Sequence, residues 1–288
     1  MNYQWYPGHM TKAKRMMQED IKLIDLIIEL TDARIPLSGR NPDIDELGKN
    51  KFRLILLNKA DLADPVCNKS WTTYFKEKGY AVLEINAKTG AGMKSIQDTI
   101  LQVCHEKIER DKKRGILNRP IRAMVVGIPN VGKSTFINSF ARKACTKTGN
   151  KPGVTKGKQW IRINSSLELL DTPGILWPKF EDQTVGMKLA FIGSINDEIL
   201  NKQEMALDLI TYLKTAYPEV IKERYGISYS ADADEKQAAV MCLAEIARVR
   251  KCFDKGESLN YEKAAGLFIE DFRSGRLGRI TLEKPVTD

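Results

Sequence analysis

Hydrophobic residues in the first 178 positions form short, largely continuous runs instead of alternating strictly with polar residues. Each run covers four or five residues and is bounded by polar turns. Runs of this kind are typical of strands that are covered on both faces in an α/β sheet. They predict six strands: Leu26–Leu30, Arg53–Leu57, Ala81–Ile85, Arg122–Val126, Trp160–Ile163 and Leu167–Leu170.

Apolar residues at helical spacing occupy segments around these strands. Residues 10–24 carry such a stripe with lysines and an arginine beside it, which predicts a basic amphipathic helix. Two further patterns predict helices over Met93–Lys113 and Ser134–Lys143. The polar stretch Lys112–Asn118 precedes a strand, and we interpret it as a connector between two halves of one sheet.

Beyond about residue 178 only helical patterns occur. Stripes over 205–216, 239–250 and 261–272 predict three helices, and Gly275 follows the last as a stop signal. The sequence therefore predicts an α/β domain over residues 1–178 and a small all-α domain over residues 179–288.

Charge is distributed unevenly between these two parts. The chain of 288 residues has 46 Lys and Arg against 37 Asp and Glu, a net charge of +9, and the excess lies in the first part. Basic excess favours polyanionic partners, above all nucleic acid. Five cysteines without a C-x-x-C pair argue against disulfides or structural zinc. Without an apolar run of spanning length, we expect a cytoplasmic monomer with no membrane partner.

A glycine-rich loop follows the fourth predicted strand. The sequence GIPNVGKST at 127–135 matches G-x-x-x-x-G-K-[ST] between a strand and a helix, the context of a phosphate-binding P-loop. Its N–H groups are expected to surround phosphate oxygens, while Lys133 reaches the β- and γ-phosphates and Ser134 ligates Mg²⁺. The predicted phosphate-binding residues are Asn130, Val131, Gly132, Lys133, Ser134 and Thr135.

Two loops after earlier strands predict that the base is guanine. In N-K-A-D at 58–61, the Asp61 carboxylate can accept hydrogen bonds from guanine N1–H and the 2-amino group, which adenine does not offer. Asn58 and Lys59 complete this motif. Asn86-Ala87-Lys88 resembles the usual Ser-Ala-Lys, in which a backbone N–H reaches guanine O6. A metabolic P-loop ATPase or kinase is disfavoured by N-K-A-D.

The sequence D-T-P-G at 171–174 ends the last predicted strand and is the candidate γ-phosphate sensor. Asp171 is placed to hold Mg²⁺, and the Gly174 N–H to contact the γ-phosphate. Thr155 is the first candidate for a second Mg²⁺-binding switch residue, in competition with Thr146 and Thr148.

The order of these motifs differs from that of an ordinary GTPase. The guanine motifs come first, at 58 and 86, and the P-loop and D-T-P-G follow at 127 and 171. The same sheet forms if old chain ends are joined and another loop is cut. We therefore predict a circularly permuted P-loop GTPase sheet with helices on both faces, whose γ-phosphate sensor leads directly into the helical domain.

With these motifs, the chain resembles the ribosome biogenesis GTPase A family of circularly permuted GTPases. The resemblance extends to W-Y-P-G-H-M at 5–10, D-A-R-I-P at 32–36, P-G-V-T at 152–155 and F-R-S-G-R-L-G-R at 272–279. It implies a role in assembling the large (50S) ribosomal subunit, with binding to rRNA in the GTP state and release on hydrolysis. An alternative is a nucleotide-gated switch for a protein partner, without direct RNA contact.

The residue that activates the attacking water is not evident from the motifs. Ile175 and Leu176 follow D-T-P-G, where many GTPases carry a glutamine, so hydrolysis is expected to be slow without a partner. A histidine can orient water, and the resemblance points to His9 as the catalytic candidate, although it can equally be a surface or RNA-contact residue. Asn130 is a candidate K⁺ ligand or simply a turn residue.

Two groups of basic residues are candidates for RNA contact. The stretch 136–167 contains no Asp or Glu but seven Lys and Arg, and either contacts rRNA phosphates or forms a solvated loop. In the predicted helical domain, basic residues cluster at Arg248, Arg250, Lys251 and Lys255, and at Arg273, Arg276 and Arg279. Favourable charge at a helix C-terminus is a sufficient explanation of the second cluster.

Overall fold

The computed structural model describes residues 8–117, 119–145, 160–177, 180, 182–228 and 234–285. They fall into two compact units. The sheet unit contains the described residues of Trp5–Lys179 and of Thr281–Asp288, and the helical unit those of Phe180–Ile280. The predicted second domain ran on to residue 288, whereas the structure assigns the segment after Ile280 to the sheet unit.

In the described part of the sheet unit, six strands form one sheet in the order β3-β2-β1-β4-β6-β5. Every neighbouring pair is parallel except β5 and β6. All six predicted strands are confirmed. Their bounds are β1 Leu26–Asp32, β2 Phe52–Asn58, β3 Ala81–Glu84, β4 Ile121–Val126, β5 Trp160–Asn164 and β6 Leu167–Asp171.

The two halves of the sheet join at the β1–β4 pair, where Leu26 lies beside Ala123. Strands β1–β3 precede the predicted connector and strands β4–β6 follow it. All seven residues of β1 are buried, as expected for a central strand covered on both faces. Because β1, β2, β4 and β6 run parallel, the loops that follow them emerge at one edge of the sheet.

Six helices belong to the described sheet unit: α1 Gly8–Asp20, α2 Pro42–Leu47, α3 Pro65–Glu77, α4 Ile96–Val103, α5 His105–Lys113 and α6 Lys133–Cys145. The predicted helix over 93–113 is divided at Cys104. The predicted bounds 10–24 for the first helix were wrong, because α1 ends at Asp20 and a 3-10 turn, Ile21–Leu23, continues its apolar face.

The described helical unit contains α7 Gln183–Phe191, α8 Lys202–Ala216, α9 Val220–Tyr225, α10 Glu235–Val249 and α11 Tyr261–Arg273. Helices α8, α10 and α11 pack against one another in pairs. Leu209, Leu243 and Phe268 form part of this core and are at most 2% exposed. Among the described residues of both units, none of the helices is long and apolar enough to cross a membrane.

A buried carboxylate organises the polar side of the helical unit. Asp271 on α11 is fully buried and accepts hydrogen bonds from Arg224 at 2.9 Å, the Tyr225 hydroxyl at 2.9 Å and Arg276 at 2.5 Å. Burial by itself raises the pKa of Asp271, but the hydrogen bonds outweigh it and hold the pKa below its usual value of 3.8. The ionised carboxylate therefore stabilises this unit.

Replacing Asp271 with asparagine is expected to destabilise the helical unit by about 2 kcal/mol, because charge-assisted hydrogen bonds become neutral ones. The folded-state pKa lies below the unfolded one, so the contribution is present at neutral pH and is lost as the pH falls below about 4. Urea unfolding of wild type and Asp271→Asn at pH 7 and pH 3.5 measures this. The stability gap is expected to narrow at the lower pH, and a constant gap would contradict the charge argument.

Candidate guanine nucleotide site

The loop between β4 and α6 takes the shape that a P-loop requires, and its glycines are needed for close approaches. A Cβ atom at Gly127 would lie 2.5 Å from the Leu30 carbonyl oxygen, and one at Gly132 would lie 2.6 Å from Asn58 Nδ2. Asn130 adopts a left-handed conformation with φ of 58°. Loop atoms therefore pack directly on β1 and on the start of the N-K-A-D motif.

The ammonium group of Lys133 lies inside this loop. Its Nζ donates to the carbonyl oxygens of Gly127 and Ile128, each at 2.9 Å, and the residue is 8% exposed. Burial lowers the pKa of Lys133 to about 8, an effect that the nearby Asp171 carboxylate partly opposes. A cation held this way among P-loop carbonyls is positioned to meet phosphate oxygens.

The D-T-P-G segment is pressed against the P-loop. Thr172 Oγ1 donates to the Val125 carbonyl at 2.6 Å, which ties the segment to β4. A Cβ atom at Gly174 would lie 2.7 Å from Lys133 Nζ and 2.9 Å from the backbone of Pro129. Burial raises the pKa of Asp171, while the Lys133 charge opposes the rise. Residue 174 therefore has to be glycine for the two loops to meet.

A cavity of about 810 Å³ opens between the P-loop, D-T-P-G and α1. Its walls bring together seven residues that the sequence predicted for the phosphate end: Asn130, Gly132, Lys133, Ser134, Thr135, Asp171 and Gly174. Helix α1 supplies the wall that sequence reasoning missed, with Met10, Ala13, Met16, Met17 and Asp20. Helical spacing revealed its apolar face, but not what that face covers.

The oxygen donors of this cavity fit Mg²⁺. The Ser134 hydroxyl and the Asp171 carboxylate line the same space. Among the residues the structure describes, no group of three or more His, Cys, Asp or Glu could hold a metal ion by itself. Mg²⁺ usually keeps several waters and binds through one or two protein oxygens together with phosphates, so this sparse donor set suits it.

Asn58 connects the predicted guanine-reading loops to the P-loop. Its Nδ2 donates to the Val131 carbonyl at 2.8 Å, and its Oδ1 accepts the Ala87 N–H at 3.0 Å. The Ala87 N–H therefore already has an acceptor within the protein. To bind guanine O6 it has to be shared between the base and Asn58 Oδ1, or leave Asn58. Asn86 Oδ1 accepts the N–H groups of Lys88 at 2.9 Å and Thr89 at 3.0 Å, so this side chain shapes its own loop.

Lys59 spans the same two loops from the other side. Its Nζ donates to the Asn130 carbonyl at 3.0 Å and lies 3.0 Å from the Asp32 carboxylate. Asp32 is fully buried at the end of β1, and in the sequence it stands out only as part of D-A-R-I-P. Asp61, the last residue of the N-K-A-D motif, is exposed. This is expected for a carboxylate that binds a base entering from solvent.

Several residues that the sequence predicted for Mg²⁺ binding and catalysis lie, in full or by their side chains, outside the part of the chain that the structure describes. Thr155 and its competitors Thr146 and Thr148 are among the residues that the structure does not describe. His9 is the second residue of α1, and its side chain is likewise outside the described part. Ile175 and Leu176 are at most 3% exposed, which agrees with their predicted inability to polarise water.

In the second basic cluster of the helical unit, Arg273 has partners within that unit. Arg273 donates to the carbonyl oxygens of Ala190 at 2.7 Å and Phe191 at 2.9 Å, and it pairs with Asp197. This arginine therefore stabilises the C-terminus of α7, as helix-end charge predicts. The members of the other cluster, Arg248, Arg250, Lys251 and Lys255, are all exposed. The seven basic residues of stretch 136–167 fall mostly among undescribed residues.

Comparisons with known proteins agree with this geometry. The family described as 50S ribosome-binding GTPase matches residues 122–239. Ribosome biogenesis GTPase A of Bacillus cereus is 48% identical over 99% of this chain and 95% of its own length. Mitochondrial ribosome-associated GTPase 1 of Mus musculus is 33% identical over 98% of this chain and 90% of its own length.

Solved structures give the same result. The crystal structure of GNP-bound YlqF from Thermotoga maritima is 28% identical, with a TM-score of 0.66, and the match covers 95% of this chain and 98% of that one. The predicted fold class, a circularly permuted P-loop GTPase sheet with an additional helical part, is thereby confirmed. Full-length identity close to one half, together with the motif order, means that the chain belongs to the ribosome biogenesis GTPase A family.

Proposed function

We propose that this protein hydrolyses GTP to GDP and phosphate in the course of assembling the large ribosomal subunit. The observation that carries the proposal is the bonding of Asn58 and Lys59, which joins the guanine-reading loop to the P-loop. Relatives of nearly equal length are named for ribosome biogenesis, which supports the biological setting. In this proposal the GTP state binds the subunit precursor, and hydrolysis releases the protein.

Each end of the nucleotide has its own residues in this proposal. The N–H groups of the P-loop and the Lys133 ammonium bind the phosphates, and the Gly174 N–H contacts the γ-phosphate. Ser134, Asp171 and Thr155 would hold Mg²⁺, which neutralises phosphate charge when bound. At the other end, Asp61 accepts from guanine N1–H and the 2-amino group, and the Asn86–Lys88 loop lies beside O6.

Water activation is assigned to His9. The support is its place at the start of α1, the helix that walls the phosphate cavity, and the burial of the two residues after D-T-P-G. Asn130 is the proposed K⁺ ligand, since its backbone turns at the P-loop and the residue lines the cavity. A monovalent cation there would add positive charge beside the phosphates, where negative charge develops.

Binding to the ribosomal precursor is assigned to the helical unit and to the basic stretch 136–167. The exposed cluster Arg248, Arg250, Lys251 and Lys255 supports this, because arginine and lysine side chains contact rRNA phosphates. The protein is proposed to act as a monomer in the cytoplasm. A nucleotide-gated switch for a protein partner remains the competing function, and the experiment below separates the two.

Wild-type protein is expected to cosediment with large-subunit precursors in the presence of a GTP analogue but not GDP, and less as salt is raised. On these particles His9→Ala should bind equally well yet lose turnover by about 100-fold, the size of a lost general acid–base group. His105→Ala, which alters the other histidine of the chain, is the matched control and should behave as wild type.

Three outcomes would count against parts of this proposal. Cosedimentation that does not depend on the nucleotide or on the salt concentration would favour the protein-partner switch. Unchanged stimulated turnover in His9→Ala would remove His9 as the catalyst. Running the same assay in KCl and in NaCl at equal ionic strength tests Asn130, and equal rates would remove the K⁺ site.

A further inference from the structure

The chain returns to the sheet unit after completing the helical unit. We call residues Thr281–Lys284 the return segment. Thr281 and Leu282 are each 2% exposed, although the segment contains no helix or strand. An irregular segment is buried this deeply only when its backbone groups find partners. The return segment is therefore anchored in the sheet unit.

Its first contacts reach the loop that follows β1. The Leu282 N–H donates to the Arg34 carbonyl at 2.7 Å. The Glu283 carboxylate accepts the N–H groups of Leu37 at 2.6 Å and Ser38 at 2.9 Å, and it also accepts the Ser38 hydroxyl. One carboxylate thus satisfies three donors of the turn around 35–39. The turn binds an anionic group, and that group is the Glu283 carboxylate of the same chain.

Other contacts reach the segment that follows N-K-A-D. The Asp64 N–H donates to Thr281 Oγ1 at 3.0 Å, just before α3 begins. Trp71 on α3 donates its Nε1–H to the Glu283 carbonyl at 3.0 Å. Trp71 is 1% exposed and belongs to the same apolar cluster as Ile55 and Leu57 of β2. The return segment is therefore bonded both to the loop after β1 and to the segment that leads from Asp61 into α3.

A continuous set of polar contacts leads from this segment to the nucleotide loops. Arg34 is 1% exposed, and its side chain donates to Asp32 at 2.9 and 2.8 Å. Burial alone raises the pKa of Asp32, but the charges of Arg34 and Lys59 outweigh it and hold the pKa well below its usual range. The ionised Asp32 in turn holds Lys59, which donates to the P-loop carbonyl of Asn130.

We propose that the return segment is a positioning element of the guanine nucleotide site, which fixes Lys59 through Arg34 and Asp32 and fixes Asp61 through Asp64 and α3. Loss of its contacts loosens the guanine-reading loop and speeds nucleotide release. The inference rests on the proposed function only in so far as this site takes a guanine nucleotide. The chain that leaves the helical unit at Ile280 thus runs directly into a segment that is hydrogen-bonded to the base-reading end of the site.

The test is the dissociation rate of a fluorescent GDP from the full chain without ribosomes. Glu283→Ala is expected to release GDP about tenfold faster, equivalent to the loss of one good hydrogen-bonded contact. Glu283→Gln keeps an oxygen acceptor and should show about a threefold effect. Glu245→Ala, which removes an exposed carboxylate that pairs with Arg248 in the helical unit, is the control and should match wild type.

A second readout separates positioning from general loosening. Inosine diphosphate lacks the 2-amino group that Asp61 reads, so the ratio of GDP to IDP affinity reports the placement of that carboxylate. The ratio is expected to fall at least about threefold in Glu283→Ala, whereas overall destabilisation weakens both nucleotides equally. If Glu283→Ala does not fold, Thr281→Val, which removes the acceptor for the Asp64 N–H, serves in its place.

Unchanged release and an unchanged GDP to IDP ratio in these variants would overturn the inference. The failure of the proposed function looks different, because wild type would then show no GDP binding or no nucleotide-dependent association with ribosomal particles.

Discussion

Replacing Asp61 with asparagine is expected to exchange the base preference of the site from guanine to xanthine. An asparagine oxygen can still accept guanine N1–H, but its amide group meets the 2-amino group donor to donor. Affinity for GTP should fall by at least about 100-fold, because the guanine 2-amino group loses its acceptor and faces a second donor. Xanthine carries an oxygen at that position, so the amide donates to it and XTP should bind more tightly than GTP.

Competition of GTP and XTP against a fluorescent nucleotide measures this exchange. Asp64→Asn is a matched control only three residues away. Asparagine caps α3 as well as Asp64 does, and it keeps the backbone N–H that donates to Thr281. The control should keep the preference for GTP. If Asp61→Asn kept it too, the N-K-A-D loop would not be the base reader, and the case for a guanine nucleotide would fall back on family membership alone.

The parts of this protein that the sequence predicted are those encoded by local patterns. Continuous apolar runs predicted all six strands, because buried parallel strands need apolar residues on both faces. The P-loop and D-T-P-G were predicted for one site because each matches a motif that contacts the phosphates or Mg²⁺ in a GTPase. In the structure the two segments lie side by side, with a Cβ atom at Gly174 only 2.7 Å from Lys133 Nζ.

What the sequence did not reveal depends on contacts between distant segments. The role of Asp32 could not be predicted from the D-A-R-I-P motif alone. Its ion pair with Lys59 joins the ends of two strands that are far apart in the sequence. Glu283 bonds to Leu37 and Ser38 across about 245 positions, and no periodicity connects them. The helices α2 and α3 were missed because their signals are caps, Asn41 and Asp64 before prolines, and not long apolar stripes.

Gly174→Ala is expected to reduce turnover more than Asp61→Asn does, because it adds a methyl group where the P-loop and D-T-P-G touch. The added carbon would lie 2.9 Å from the Pro129 backbone and 2.7 Å from Lys133 Nζ. The lysine end can rotate away, but the P-loop backbone cannot, so the D-T-P-G segment has to withdraw. Its N–H then leaves the γ-phosphate, and the loss of one such donor typically reduces turnover by about 100- to 1,000-fold.

Because the withdrawn contact belongs to the γ-phosphate alone, GDP affinity should change far less than GTP affinity in Gly174→Ala. Stimulated turnover and the affinities of both nucleotides measure this difference. Gly266→Ala is the control, since a Cβ there meets nothing within 4 Å inside α11 and alanine favours a helix. Equal losses for GDP and GTP would mean that the added methyl group distorts the P-loop itself. Full turnover would mean that D-T-P-G does not report the γ-phosphate, and the permuted order would then give no link between nucleotide state and the helical unit.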